Sequence, residues 1–213
     1  YLENFKELNL IVLKNYPKNP RLILTSNAYQ SNDNFKFWAA HFQDKGVPLI
    51  IHQHGGNFGT GLLNQMENHQ LKISNYFISW GWIKEGFNNI KILPALKLNS
   101  NKFFFNKRSK DIIMTISNPS RYFYSFFSIP LSDQYEDYFN DQIKFIKTLK
   151  NKNNLKIRVE SDDFGWSIHE RFSKYIHSSS IENSKIKFID RLKKCRLCIS
   201  TINTTIFLET FKS

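Results

Sequence analysis

The sequence has few cysteines, glycines and prolines, and it lacks long apolar runs. Its 213 residues include 2 Cys, 8 Gly and 6 Pro. Two cysteines, Cys195 and Cys198, are too few for a disulfide-stabilised scaffold, and they favour a reducing compartment. No apolar run approaches the roughly 20 residues that a membrane-spanning helix needs, and we recognise no signal peptide. We therefore expect a cytoplasmic protein.

Acidic residues are also scarce, with 18 Asp and Glu against 30 Lys and Arg, which gives a formal net charge of +12. Lysine supplies 23 of the positive charges, and asparagine also occurs 23 times. This bias is typical of A/T-rich codons, so the charge does not by itself indicate a polyanion site. A basic surface would still favour anionic nucleotides, acidic glycans or the anionic inner face of the plasma membrane.

The apolar residues that are present suffice for a packed core, because the chain contains 20 Phe, 9 Tyr and 4 Trp. In the first half, short apolar runs alternate with amphipathic stretches. This pattern predicts strands at residues 21–26, 47–52, 76–80 and 90–93, and helices at residues 34–45 and 62–69. Such alternation is typical of a parallel sheet covered by helices.

The same alternation restarts after a lysine-rich polar segment, residues 97–110. It predicts strands at residues 111–117, 155–159, 185–188 and 198–202, with helices at residues 135–149 and 166–176 and from about residue 204 onwards. We therefore predict an α/β protein with two Rossmann-like parallel-sheet units, residues 1–100 and 101–213. Because the chain begins with Tyr1 and stops within an apolar helical pattern, we expect a piece of a longer protein. The first unit would lack its N-terminal part, and the second would be truncated at its C-terminus.

The strongest local signal is IHQHGGNFGTG, residues 51–61, at a predicted strand-to-helix turn. Ligands bind at the carboxyl ends of parallel strands, and Gly55 and Gly56 would let backbone N–H groups approach an anion there. His54 is placed to act as a general base, since histidine titrates near neutrality; His52, on the strand, is a less clear candidate. The alternative is an ordinary tight turn whose glycines adopt positive φ.

A metal site at this turn would have to combine His52, His54 and His69 with the nearby Glu67. No third ligand stands at a clear spacing, so we expect no metal. The CRLC pair of cysteines also lacks partner ligands. Because Cys198 begins an apolar strand, we expect buried structural thiols rather than redox chemistry.

A second cluster crowds the passage from the last predicted strand into the last helix, ISTINTTIFLE. Hydroxyl groups and free N–H groups at such a turn suit a phosphate or diphosphate. An ordinary helix N-cap would explain one of these residues but not five. Glu209 could accept hydrogen bonds from sugar hydroxyls or merely complement the helix dipole. The candidate phosphate-binding residues are Ser200, Thr201, Asn203, Thr204 and Thr205.

A third cluster follows other predicted strands. Asn118 and Arg121 come after the strand at residues 111–117, while Arg158 and Glu160 end the strand at residues 155–159. Arginine binds phosphate in a fork geometry. Each residue alone could be a surface ion pair, but three polar strand ends in one unit favour a shared pocket.

Taken together, these motifs resemble a known family. HQHGGNFG, the pair Glu67 and His69, and NYFISWGW look like a family of bacterial surface-polysaccharide transferases, and ISTINTTIFLE is similar to the STxNSTTFLE-type stretch of that family. More distantly, both motifs resemble those of CDP-glycerol glycerophosphotransferases and capsule Kdo transferases. The resemblance covers roughly residues 21–211.

The resemblance implies the GT-B fold, in which two Rossmann-like domains face each other across a cleft. The first unit would be the acceptor side, with His54 as general base or essential polar group and with Gly55 and Gly56 shaping its turn. The second would hold the donor phosphate with the hydroxyl-rich cluster and Glu209 nearby. Arg158 lies where glycerophosphotransferases have a basic HP-type motif; IRVESDD replaces that motif here and leaves the donor open.

The implied function is glycosyltransferase-like. A sugar or glycerol-phosphate unit would pass from a nucleotide-activated donor to a surface polysaccharide or lipid-linked precursor of the bacterial cell envelope. The scheme uses no metal or separate cofactor, and its partners are the donor, the glycan or lipid-linked acceptor and an anionic membrane. Two alternatives stay open: a basic nucleic-acid-binding α/β protein, for which we find no recognised motif, and a noncatalytic sugar-nucleotide-binding protein.

Overall fold

The computed structural model describes residues 4–62, 64–95, 109–122, 130–160, 162–182 and 185–211. The chain divides into two compact units, Tyr1–Asn99 and Ser100–Ser213. Most of the polar segment 97–110 lies outside the described residues. Among the described residues, each unit contains one four-stranded sheet, and all strand pairs are parallel. The predicted α/β class with two parallel sheets is therefore confirmed, and these sheets are consistent with Rossmann-like units.

The first unit contains a sheet whose strands follow one another in chain order, β1-β2-β3-β4. Ile51 of β2 pairs with Phe77 of β3, and both are fully buried. No reversal of strand order occurs among these four strands. The elements are α1 (Phe5–Asn15), β1 (Ile23–Thr25), α2 (Ala28–Ser31), α3 (Asp33–Gln43), β2 (Leu49–His52), α4 (Gln65–Ile73), β3 (Tyr76–Ser79) and β4 (Ile90–Ile92).

The helix α3 shows why the sequence forms this layer. The side chain of Asn32 accepts a hydrogen bond from the Phe35 N–H at 2.9 Å and caps the helix. Apolar side chains recur every three or four residues and are buried, which places one stripe of the helix in the core with Ile51 and Phe77. The buried residues of α3 are Phe35, Trp38, Ala39 and Phe42.

The second unit has the strand order β7-β6-β5-β8. The chain runs outward from β5 to β6 and β7 and then returns to the other side of β5 with β8. Such a reversal is a topological switch point. The elements are β5 (Ile112–Thr115), α5 (Asp133–Thr148), β6 (Leu155–Arg158), α6 (Ile168–Ser173), β7 (Ile181–Glu182), α7 (Phe188–Leu192), β8 (Leu197–Ser200) and α8 (Thr205–Phe211).

The core of the second unit lies between β5, β6 and the helices α5 and α6. Met114 and Ile157 from the strands are buried with Phe139 from α5 and Phe172 from α6. The rings of Phe139 and Phe172 lie 4.9 Å apart. This packing fixes the strands whose carboxyl ends carry the polar residues considered below.

The prediction of a strand at residues 185–188 is wrong. The third strand of the sheet is β7, where Ile181 is 8% exposed and pairs with Ile157. Ile186 is 55% exposed instead, and Phe188 begins α7. The apolar residues at positions 186 and 188 therefore lead into a helix whose first ring packs inward, and they do not form a strand. The apolar pattern also does not predict α1, α2 or α7.

The length and polarity of the helices bear on membrane insertion. Within the described ranges, no helix combines the length and the apolar character needed to cross a bilayer.

Candidate functional site

Three polar residues lie side by side at the carboxyl edge of the second sheet. The register pairs Thr115 of β5 with Arg158 of β6 on one side and with Ser200 of β8 on the other. Each is the last residue of its strand. The structure therefore brings together Arg158 and Ser200, which came from separate sequence motifs. Thr115 was not among the residues predicted from the sequence, although a threonine directly after the apolar residues IIM is a usable signal.

The switch point lies between two members of this row, because β5 and β8 are neighbours whose following segments diverge. In open α/β sheets such a divergence creates a crevice at the carboxyl edge, where ligands bind. Thr201 follows β8 directly, and its side chain bridges to neighbouring elements where this crevice begins. Its hydroxyl donates to the Thr115 carbonyl at 2.8 Å and is hydrogen-bonded to the Tyr138 hydroxyl, which also accepts from the Ser117 N–H at 2.8 Å. The Thr201 hydroxyl thus joins β8 to β5 and α5.

The other hydroxyl groups of the β8–α8 turn are partly used within the turn. Ser200 Oγ donates to the Ile202 carbonyl at 2.9 Å, and Thr204 Oγ1 accepts weakly from the Ile206 N–H at 3.4 Å. Thr205 begins α8 and is half-buried, and Asn203 is exposed. Thr204 therefore has the ordinary capping role, and Asn203 and Thr205 are its neighbours in the turn.

Arg158 places a positive charge within this edge. It is 8% exposed, its Nη2 donates to the Ile186 carbonyl at 2.5 Å, and its guanidinium lies 5.7 Å from the centre of the Phe188 ring. Burial lowers the pKa of Arg158, and the charges of Glu182, Glu160 and Glu209 oppose that shift. Glu209 of α8 is itself buried at 9% exposure. The structure thus brings Arg158 and Glu209 close enough for their charges to interact.

Asn118 and Arg121 form hydrogen bonds between two neighbouring loops. Asn118 Nδ2 donates to the carbonyls of Asp162 at 2.8 Å and Asp163 at 3.2 Å. The Arg121 N–H donates to the Phe164 carbonyl at 3.0 Å, and its Nη1 donates to the Gly165 carbonyl at 3.3 Å. These bonds tie the loop after β5 to the loop after β6.

In the first unit, the turn that carries His54 is organised by a buried glutamine. Gln53 is 2% exposed, and its Nε2 donates to the Gly55 carbonyl at 2.7 Å. Its Oε1 accepts from the Trp80 N–H at 2.9 Å and from Trp82 Nε1 at 2.8 Å. Gln53 thereby joins the turn to the segment after β3. This role of Gln53 was not predicted from the sequence, where its signal was an amide residue between two histidines.

A buried carboxylate holds the far end of the same turn. Glu67 Oε2 accepts from the Gly59 N–H at 2.7 Å, and Oε1 accepts from Lys84 Nζ at 2.8 Å. Gly59 has φ of +75°, whereas Gly55 does not have positive φ. The tight-turn explanation therefore applies to Gly59. Gly56 is buried and Gly55 half-buried within the turn.

His54 lies on the surface of the turn, and its ring packs edge-on against Phe58 with centroids 5.1 Å apart. Desolvation lowers the pKa of His54 below 6.5. The ring is therefore neutral at pH 7 and can accept a proton. His52 is half-buried, and its ring lies 6.1 Å from that of Trp80. Within the described part of the chain, His52 Nε2 has no hydrogen-bond partner.

The other candidate ligands and thiols show no reactive arrangement among the described residues. His69 packs near the Tyr29 ring, with centroids 5.9 Å apart. Across the described ranges, no group of three or more His, Cys, Asp and Glu side chains is placed to hold a metal ion. Cys195 and Cys198 are free thiols. Burial, with a smaller effect of Cys195, raises the pKa of Cys198 to about 12, so this thiol stays protonated and poorly nucleophilic at neutral pH.

Comparison with known proteins gives one result at the level of the family. No curated protein and no solved structure matches the chain. A family model described as LIC12162 family transferase matches residues 1–213. The resemblance to a transferase family is therefore confirmed at that level, while the likeness to glycerophosphotransferases and Kdo transferases stays a prediction. The chain belongs to the LIC12162 family of transferases.

Proposed function

We propose that this transferase moves a sugar or glycerol-phosphate unit from a nucleotide-activated donor to a surface polysaccharide or lipid-linked precursor. The observation that carries the proposal is the switch point between β5 and β8, flanked by Thr115 and Ser200, with Arg158 on the next strand, β6. A crevice of this kind is where α/β folds bind nucleotides. A cation on the adjacent strand, together with the polar side chains of Asn203 and Thr205 in the β8–α8 turn, suits the donor's diphosphate.

In the proposed donor site, Arg158 supplies a positive charge that does not depend on pH near neutrality, because the guanidinium titrates far above that range. Its burial strengthens its attraction to a phosphate by excluding water. Asn203 and Thr205, together with the N–H groups of the turn, would contact the phosphate oxygens. Glu209 would orient the Arg158 guanidinium or accept a hydrogen bond from a sugar hydroxyl.

In the proposed reaction, His54 takes the proton of the acceptor hydroxyl as that oxygen attacks the donor. For a sugar donor, a bond forms to the anomeric carbon and the bond from that carbon to the diphosphate oxygen breaks. For a glycerol-phosphate donor, the attack is on phosphorus and a nucleoside monophosphate leaves. In both cases the electron pair departs with the phosphate, whose charge Arg158 stabilises.

The proposal includes the GT-B arrangement, with the first unit on the acceptor side and the second on the donor side. It also includes a cytoplasmic location at the inner face of the plasma membrane. The net charge of +12 supports that part, since basic surfaces are attracted to anionic lipids.

A thermal-shift screen tests the proposal with CMP, CDP, UDP, GDP and their sugar or glycerol conjugates. A ligand that binds the native state raises the melting temperature. We expect a shift that depends on the base and is lost in the double variant Asn203→Ala and Thr205→Ala. Thr148→Ala is the matched control, because Thr148 is exposed at the far end of α5, and it should keep the shift. Absence of any shift at millimolar nucleotide would overturn the proposal.

A further inference from the structure

The loop after β6 has an unusual backbone. Three of its residues have positive φ: Phe164 at +53°, Gly165 at +88° and Ser167 at +51°. Glycine adopts such values readily, but phenylalanine and serine do not. Residues held in this region persist only where the surrounding structure fixes them, and they concentrate at functional sites.

The surrounding structure does fix this loop. The four hydrogen bonds from Asn118 and Arg121 hold the carbonyls of residues 162–165, and Trp166 Nε1 donates to the Pro119 carbonyl at 2.8 Å. The Asp163 carboxylate accepts from the N–H groups of Ser167 at 2.8 Å and Ile168 at 2.7 Å. The conformation of Phe164 is therefore imposed from both sides.

The result is a half-exposed aromatic ring in a loop whose backbone is held by Arg121. Phe164 is 43% exposed. The backbone N–H of Arg121 holds Phe164, and the Arg121 guanidinium lies 5.6 Å from the centre of the Trp166 ring. The same guanidinium lies 6.0 Å from the centre of the Tyr122 ring, and Tyr122 is 83% exposed. At the foot of the loop, Asn118 is 6% exposed, and its Oδ1 has no hydrogen-bond partner among the described residues. A planar ring and a guanidinium are the groups on which nucleobases stack.

We propose that Phe164 stacks on the base of the nucleotide donor, and that Asn118 and Arg121 are positioning residues that hold the Phe164 loop. This inference rests on the proposed function. The loop leaves the same carboxyl edge as the row of Thr115, Arg158 and Ser200. Because adjacent strands are about 4.8 Å apart, β6 and β8 are separated by about 10 Å. A nucleoside diphosphate can span that distance with its phosphates at β8 and its base at Phe164.

The test is calorimetric titration with the four ribonucleoside monophosphates, and with ribose 5-phosphate as the ligand that lacks a base. We expect Phe164→Ala to weaken binding of the preferred nucleotide by about 5- to 150-fold, the usual range for one stacked base. The affinity for ribose 5-phosphate should change by less than about twofold, and Phe164→Trp should retain nucleotide binding. Tyr175→Ala is the matched control, because Tyr175 is similarly exposed at 38% but follows the end of α6.

The variant Phe164→Gly distinguishes loss of the aromatic ring from a folding defect. Glycine tolerates φ of +53°, so this variant should fold at least as well as the wild type and still lose the affinity. Unchanged nucleotide affinity in both variants would overturn the inference and leave the proposed function standing. An equal loss for nucleotide and ribose 5-phosphate would also overturn it. If the wild type binds no nucleotide at millimolar concentration, both proposals fail.

Discussion

Gly59 is the glycine of the His54 turn for which a side chain would be sterically costly. A Cβ atom there would lie 2.5 Å from the Trp82 ring, and the residue has φ of +75°. We expect Gly59→Ala to lower the free energy of unfolding by about 3 kcal/mol, because left-handed strain and overpacking add. Gly46→Ala is the control, since Gly46 has φ of +84° with no atom within 4 Å of the added Cβ. It should cost only about 1 kcal/mol. Urea unfolding that gives equal losses would contradict the contact with Trp82.

The titration of His54 provides a second test at this scale. Desolvation lowers its pKa in the folded protein, so the unfolded chain binds the proton more readily. Stability should therefore fall as the pH drops below the unfolded value of about 6.5, and the His54 contribution vanishes above it. We expect His54→Gln to lose less stability than the wild type between pH 7 and pH 5. The ring resonance of His54 should titrate with a midpoint below about 6.5 by NMR. A midpoint at or above that value would contradict the desolvation.

At the scale of elements, Glu67 of α4 connects the turn after β2 with the segment after β3. The Glu67 side chain is 3% exposed and pairs with Lys84, whose side chain is 33% exposed. Removing one partner of such a pair leaves a buried charge without compensation. We expect Lys84→Met to lower the free energy of unfolding by about 2–4 kcal/mol.

The double variant Lys84→Met and Glu67→Gln separates the charge from the packing. Neutralising Glu67 removes the uncompensated charge while leaving a side chain that can still accept from the Gly59 N–H. We expect this variant to recover at least about 1 kcal/mol relative to Lys84→Met alone in urea unfolding. A double variant less stable than the single one would show that the ion pair is not what holds the turn.

Much of the secondary structure could be predicted from the sequence where the apolar pattern was long and regular. The helix predicted at residues 34–45 is observed as α3, and the one at residues 135–149 as α5, because both carry an apolar stripe that the core buries. β7 could not be predicted, since its two residues become a strand only by pairing with Ile157 and Arg158. The sequence around these two residues contains no information about that pairing.

The candidate residues divide in the same way. The sequence indicated Arg158 near the end of one predicted strand and Ser200 at the passage from another strand into a helix, but their alignment on either side of Thr115 depends on the order β7-β6-β5-β8. The hydrogen bonds of Asn118 and Gln53 likewise join segments 27 to 45 residues apart. Side-chain roles that depend on such distant pairing cannot be read from local spacing.

At the scale of the whole molecule, the two units differ in how their sheets can bind ligands. The second sheet has a switch point, while the four described strands of the first follow chain order without reversal. We therefore expect the nucleotide site in the second unit, whereas the role of His54 rests on the turn geometry of the first. A nucleic-acid-binding protein would instead use its net charge, with affinity that falls steeply with salt and is indifferent to His54→Ala.

Hydrogen–deuterium exchange with and without the nucleotide that gives the largest thermal shift tests the donor site most directly. Bound phosphate should slow exchange of the backbone amides it contacts. We expect protection in peptides covering residues 116–121 and 200–206, with no change in the His54 turn at residues 53–61 when nucleotide alone is present. Protection confined to the first unit, or no protection at saturating nucleotide, would contradict a donor site at the β5–β8 switch point.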